Sequence, residues 1–432
     1  MDTKRSQRYN KKKKRKLKLI PFLILVAILS LASSIFVTNT IFKIVSKSEA
    51  KHHSEIQADE NSKEKGSEST AESATQQSTE KKETFPTSTD GTIISPIPAN
   101  NYQNLSKTVL APEAQNMDTE LDAASFVGVA LVIKNGQIIL QKGYGYADYS
   151  ENRLNTVNSH IQIGSVQKAY TATLIYKLIE EKKLSFDTPL SDFYPQIYGS
   201  QNITIRDMIR MHSGLQISIP GNAYFSTTDQ VMDYIVTNVE NTGQKTYKYQ
   251  AVNYSLLAGI IEKITGKSYY ENYENFFHNV GLKNFGLYVD WPERPGYATG
   301  YKKSGEYLYS LPNPYDPQIF IREFGTGNID STAGDVYEFF NKLLTGSLIK
   351  SSVLQEAWKP VYSDSNTYIG GFYDQGDAYR MNGVMNYQQL AILISKDTKN
   401  AVILFSNRGN QELTQPTISS FYQQITGNYV KF

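Results

Sequence analysis

"IGSVQKAYTA", residues 163–172, sets a serine behind a glycine and a lysine three positions beyond that serine. Gln162, Ile163 and Gly164 read as the end of a strand. From Val166 onward, apolar or small residues recur at Ala169, Tyr170, Leu174, Ile175, Leu178 and Ile179, which is helical spacing, and Lys182 and Lys183 suit the last turn. Ser165 therefore falls on a strand-to-helix junction. Three residues are nearly one helical turn, so Lys168 shares a face with Ser165. A helix N-terminus offers free backbone N–H groups and a positive dipole end, both suited to a developing oxyanion. A neighbouring lysine can take the hydroxyl proton. The spacing alone is common: Ser48, Ser62, Ser78 and Ser347 also have a lysine three residues on. At this point Ser165 as a simple helix cap, with Lys168 solvated, stays open.

The surrounding chain supplies the fold class. "FVGVALVIKNGQIILQKGYGYAD" (126–148) reads as two strands about an Asn135-Gly136 turn, a strong hairpin signal. "NYSLLAGIIEKITG" (253–266) is an amphipathic helix closed by Gly266. "STAGDVYEFFNKLLTG" (331–346) is another, with Thr332 and Asp335 as a capping-box-like start. "YQQLAILISKDTKNAVILFSN" (387–407) alternates as a second hairpin. Strands at both ends with helices between them predict an α/β (α+β) sheet domain interrupted by a mostly helical insertion.

The N-terminal quarter differs. Residues 1–18 hold ten Lys/Arg against one acid, in a chain of net charge +2, so the remainder is acidic overall and gives no support to nucleic-acid binding. Residues 19–42 are uncharged and long enough to span a bilayer. With the basic run before them, they are expected to form an uncleaved signal-anchor that leaves 1–18 in the cytoplasm and exports the rest; a cleaved signal peptide is the alternative. Residues 43–105, rich in Ser, Thr, Glu, Lys and Gln, are expected to be a disordered stalk, and 106–432 the folded domain. The chain has no cysteine, which excludes disulfides, thiolate nucleophiles and cysteine-based zinc sites. No G-x-S-x-G elbow, H-E-x-x-H or P-loop is present, and neither a metal nor a cofactor is expected. Among five histidines His52 and His53 lie in the stalk, and His212 reads as packing rather than as a base. The 31 tyrosines are read as ordinary core and surface residues, with a glycan-facing surface as the alternative.

In order, "GYGYAD", "IGSVQK", "ITIRDMIRMHSGL", "VNYSLLAGIIEKITGKSYYE", "GTGNIDSTAGDVYEFF" and a late "MNG" before the second hairpin resemble the serine β-lactamase-related family of class C-like penicillin-binding proteins and esterases. Within it the chain is most similar to the FmtA-like branch of membrane-attached enzymes that remove D-alanine esters from teichoic acids. The resemblance implies a β-lactamase/transpeptidase-like antiparallel sheet flanked by helices. It also implies a serine hydrolase on the Gram-positive-type cell surface that acts on teichoic acid or peptidoglycan and is open to β-lactams. Carried over by position, Ser165 would be the nucleophile and Lys168 its base. Tyr249 opens the second motif, here Tyr249-Gln250-Ala251, where the family has a polar third residue. The third motif, Lys-Thr-Gly or His-x-Gly in the family, is Met381-Asn382-Gly383. It gives Asn382, Gly383 and the adjacent Arg380 as substrate-binding candidates, and Val384 N–H as the oxyanion donor beside that of Ser165.

Overall fold

Asn135 and Gly136 both adopt positive φ (51° and 75°), the type I′ signature of a two-residue hairpin. They join β1 (Gly128–Lys134) to β2 (Gln137–Tyr144). The computed structural model describes residues 91–432 except 294–295, 305–306 and 410; the expected cytoplasmic segment, the anchor and most of the stalk lie outside the described residues. No helix among the described residues is long and apolar enough to cross a membrane.

The second hairpin forms as β4 (Gln388–Ser395) and β5 (Ala401–Ser406), preceded by β3 (Ala378–Met385). The five strands run antiparallel in the order β2-β1-β5-β4-β3. β1 pairs directly with β5, so the two ends of the domain sequence meet in the middle of the sheet, and residues 145–372 form the predominantly helical body between them. Strand alternation assigns the two faces. Val129, Leu131, Ile392 and Phe405 join the larger core, and Ala130, Val132, Leu393 and Leu404 join the smaller one. Both faces of the central strands are buried, so the polar breaks fall mainly in β2 and β3.

The smaller core is closed by α1 (Gln115–Ala123) and α6 (Gln411–Thr426). The larger contains α2 (Gln167–Glu180), α3 (Val252–Thr265), α4 (Tyr269–Asn279) and α5 (Ala333–Leu344). α2 is the central element: eleven of its fourteen residues are buried, not just one stripe. Of the twelve largest fully buried side chains among the described residues nine are tyrosines, which accounts for much of the tyrosine surplus as core packing. Tyr170 of α2, for example, stacks on Phe339 of α5 at 3.6 Å between centroids.

Two local readings change. The folded domain begins before residue 106. Ile97–Pro98 pairs with β2, Asn101 caps a short 3₁₀ helix over Tyr102–Ser106, and Leu105 is buried. The last part of the expected stalk is thus tied into the core, because its few apolar residues fall where the β2 edge and α5 need cover. At α5, the Thr332 side chain accepts from Asp335 N (3.2 Å) as the cap requires. The Asp335 carboxylate does not return to Thr332; it accepts from Lys283 N (2.9 Å), Asn284 N (2.7 Å) and the Tyr102 hydroxyl, binding three segments together.

Candidate active site

The strand Ile161–Gln162 ends in a 3₁₀ turn, Gly164–Val166, which runs into α2. Gly164 adopts φ +50°, and a Cβ there would stand 2.8 Å from Val384 N and 3.0 Å from Val384 O. A Cβ on Gly383 would stand 1.9 Å from Ile163 O and 3.2 Å from Ser165 N. Two glycines therefore let the serine turn lie flat against the open edge of β3. The N and O of Val384 both lie on the Gly164 side, so its N–H leaves the strand edge toward the turn that carries Ser165. Ser165 N–H opens that turn, where an amide has no intrahelical acceptor. The Ser165 amide and the Val384 amide thus lie on facing sides of one seam.

Lys168 is 1% exposed, and its Nζ donates to Ser165 Oγ at 3.1 Å and to Thr326 O at 3.2 Å. No carboxylate of the described residues pairs with it, and the Tyr249 ring lies over its amine at 5.3 Å. The acceptor loop is held by α2 itself. Gln167 bonds Asn328 through both ends of its amide (2.6 and 3.0 Å), and Thr171 Oγ1 donates to Gly325 O (2.8 Å). The buried polar residues of α2 are therefore the fasteners of the loop that orients Lys168, which a count of apolar positions does not reveal.

Tyr249 is half-exposed and rests edge-on against the buried Tyr368 (5.9 Å). Ala251, exposed, stands at the N-cap of α3 and brings no polar group. The polar side chain that braces this turn is Asn253, whose amide donates to Gln250 O at 3.0 Å.

Ser165, Lys168, Tyr249, Gly383 and Val384 come together. Arg380 and Asn382 do not join them. Alternation puts them on the opposite face of β3 from Met381 and Gly383. Arg380 lies over the rings of Tyr373 (4.2 Å) and Phe432 (5.4 Å), and Asn382 accepts from Gln389 Nε2 (3.2 Å). The two side chains expected to contact substrate thus have partners away from Ser165. Met381, fully buried, occupies the position where the family has a cation. His212 is packing, as expected. It is buried, bonds Arg210 O and Asp364 Oδ2, and stacks on Tyr362 at 3.6 Å.

The family model described as Beta-lactamase matches residues 114–417, well over half of the chain. The chain belongs to the β-lactamase family. A Bacillus subtilis (strain 168) relative described as a penicillin-binding protein, PbpX, is 31% identical over 312 residues, covering 72% of this chain and 78% of the relative. A teichoic acid D-alanine hydrolase of Staphylococcus aureus is 29% identical over 310 residues, covering 70% and 76%. The crystal structure of FmtA from S. aureus superposes with a TM-score of 0.65 at 26% identity, covering 74% of this chain and 91% of FmtA. The chain is thus a serine hydrolase of the β-lactamase-related kind, on the FmtA-like branch.

Proposed function

We propose that the protein is a membrane-anchored, extracellular esterase that hydrolyses D-alanyl esters of a wall polymer, teichoic acid before peptidoglycan, through an acyl-enzyme on Ser165. The observation that carries this is the contact between the Lys168 amine and Ser165 Oγ, in a turn laid against Val384 N–H. Lys168 Nζ takes the hydroxyl proton as Oγ attacks the ester carbonyl. The tetrahedral oxyanion is held between the N–H groups of Ser165 and Val384, an arrangement in which one donor is worth about 10²–10³ in rate. Tyr249, beside Lys168, hands a proton to the leaving alcohol. Water then attacks the ester of Ser165 by the same groups in reverse, so one hard hydrolysis becomes two easier steps.

The substrate class is supported by what is missing. Penicillin and D-Ala-D-Ala stems carry a carboxylate that a Lys or His at position 381 would hold, and Met381 cannot. A D-alanyl ester has an amine and no free carboxylate at that end. Similarity to the S. aureus teichoic acid D-alanine hydrolase supports the same reading. The basic segment and the uncharged run at 19–42 support attachment to a membrane with the catalytic domain outside. The test is D-alanine release from purified D-alanylated teichoic acid by the full-length chain, with Ser165→Ala as control. No release above that control refutes it.

Ala251 favours a second reading, a module that binds wall polymer or β-lactam with little turnover. Intact-mass measurement separates the two: a penicillin adduct on Ser165 that persists for hours, without D-alanine release, supports the second.

A further inference from the structure

We propose that Glu323 is the residue that recognises the substrate's ammonium group, a specificity element that rests on the D-alanyl reading above. Glu323 ends the short helix Pro317–Arg322, two residues before Gly325 and three before Thr326. Its carboxylate is partly buried and accepts from Thr326 Oγ1 at 2.6 Å. The backbone carbonyl of that same Thr326 receives Lys168 Nζ. The vacant side-chain position of Gly327 measures how near this carboxylate stands to the serine turn: a methyl there would lie 3.2 Å from Glu323 Oε2, 3.6 Å from the Gly164 carbonyl carbon and 3.1 Å from Met385 Cε, whose flexible thioether borders the same space.

Among the described residues this carboxylate has a hydroxyl donor but no ion-pair partner. No lysine or arginine of the described residues forms an ion pair with Glu323. The adjacent Arg322 is turned away, its guanidinium bonding Gly221 O and Ala223 O. A carboxylate at a helix C-terminus also faces the negative end of the dipole. An uncompensated, partly buried charge is unfavourable unless a cation arrives to pair with it. With Met381 in place of the family's cation, the surroundings of the serine turn present a carboxylate without an ion-pair partner and no free guanidinium. It fits a ligand with an ammonium one carbon away from the reacting carbonyl, and disfavours one with a carboxylate there.

The bland alternative is that Glu323 only staples the Thr326 loop. Glu323→Gln separates the two, because the amide oxygen can still accept from Thr326 while the charge is gone. Binding is measured first, by calorimetric titration of D-alaninamide and its neutral analogue D-lactamide into the full-length chain carrying Ser165→Ala. D-alaninamide is expected to bind more tightly than D-lactamide. Adding Glu323→Gln should weaken D-alaninamide on the order of 10-fold or more and leave D-lactamide unchanged. Equal binding of the two ligands, absent binding of D-alaninamide, or an equal effect of Glu323→Gln on both overturns the proposal. Turnover is measured separately on D-alanyl and D-lactyl glycerol esters, with Glu323→Gln in an otherwise natural chain. A selective loss of kcat/KM on the D-alanyl ester, roughly 10- to 100-fold, with the D-lactyl ester as the folded control, supports the assignment. Failure to hydrolyse D-alanyl esters while D-alaninamide binding still depends on Glu323 refutes the esterase reading and leaves the recognition role standing.

Discussion

Gly383→Ala adds a single methyl group at the seam between β3 and the serine turn. Gly383 does not have positive φ, so alanine meets no backbone strain there, and the whole effect is contact. The methyl would stand 1.9 Å from Ile163 O, where a carbon and an oxygen settle at about 3.3–3.6 Å. Turn and strand must therefore part by more than about 1 Å. That moves Val384 N–H away from the oxyanion position, and a misplacement of about 1 Å costs on the order of 10²-fold in rate. Overpacking at such a site costs about 1–3 kcal/mol of stability, a few degrees in melting temperature for a domain of this size. The expected outcome is a folded protein that acylates about 100-fold more slowly, or worse. The assay is the rate of fluorophosphonate addition to Ser165 by intact mass, alongside a thermal melt. Gly136→Ala is the control. It sits at φ +75° with nothing within 4 Å of the new methyl, so it should cost about 1–2 kcal/mol of stability and leave acylation unchanged. If Gly383→Ala labels at the natural rate, the seam does not set the oxyanion geometry and the site described above is wrong.

Tyr249→Phe keeps the ring over Lys168 and removes the phenol, so kcat on an alkyl ester should fall about 10²–10⁴-fold with stability unchanged in a melt. Starting the chain at residue 106 uncovers the edge of β2 and removes Leu105 and the Tyr102–Asp335 contact; a chain begun at residue 91 should melt clearly higher in side-by-side calorimetry. Burial pushes the Asp148 carboxyl up, but hydrogen bonds from Ser150, Thr299 and Glu151 N and the charge of Arg153 outweigh it, so it lies below its ordinary value of 3.8. Its contribution to stability is therefore complete above pH 3.8 and lost as pH falls further through the lowered value. Asp148→Asn should flatten that part of a stability-against-pH curve from urea titrations, and an unchanged curve refutes the assignment.

Local signals carried far in this chain. Asn135-Gly136 specified a hairpin because the turn needs two positive φ values, and the period-2 and 3.6-residue patterns located β1, β2, β4, β5, α2, α3 and α5. The turn that carries Ser165 was legible once its strand-to-helix context and the later motifs were read together. What stayed hidden depends on pairing across distance. Ile97 and Tyr102 look like the end of a polar linker, and only the β2 edge and Asp335, far along the chain, give them partners. Glu323 carries no motif; its meaning comes from the fold of residues 323–328, which Gln167 and Thr171 of α2 hold in place. The position of Arg380 is a different case. Strand alternation alone separates 380 and 382 from 381 and 383, so its place on the other face follows from the strand assignment.

The N-terminal clip has a mechanical consequence. Any tension that reaches the domain through residues N-terminal to it enters at Ile93 and Ile97, which are tied by bonds such as Ile93 N to Thr108 O and Ala99 N to Gly136 O, both 2.9 Å. Pairs this short break one at a time, and Gly136 lies at the far tip of the first hairpin from Ser165. A pull from that side would load this clip before it loaded the strands that hold the Ser165 turn, so the seam between Gly383 and Ile163 would be the last to feel it.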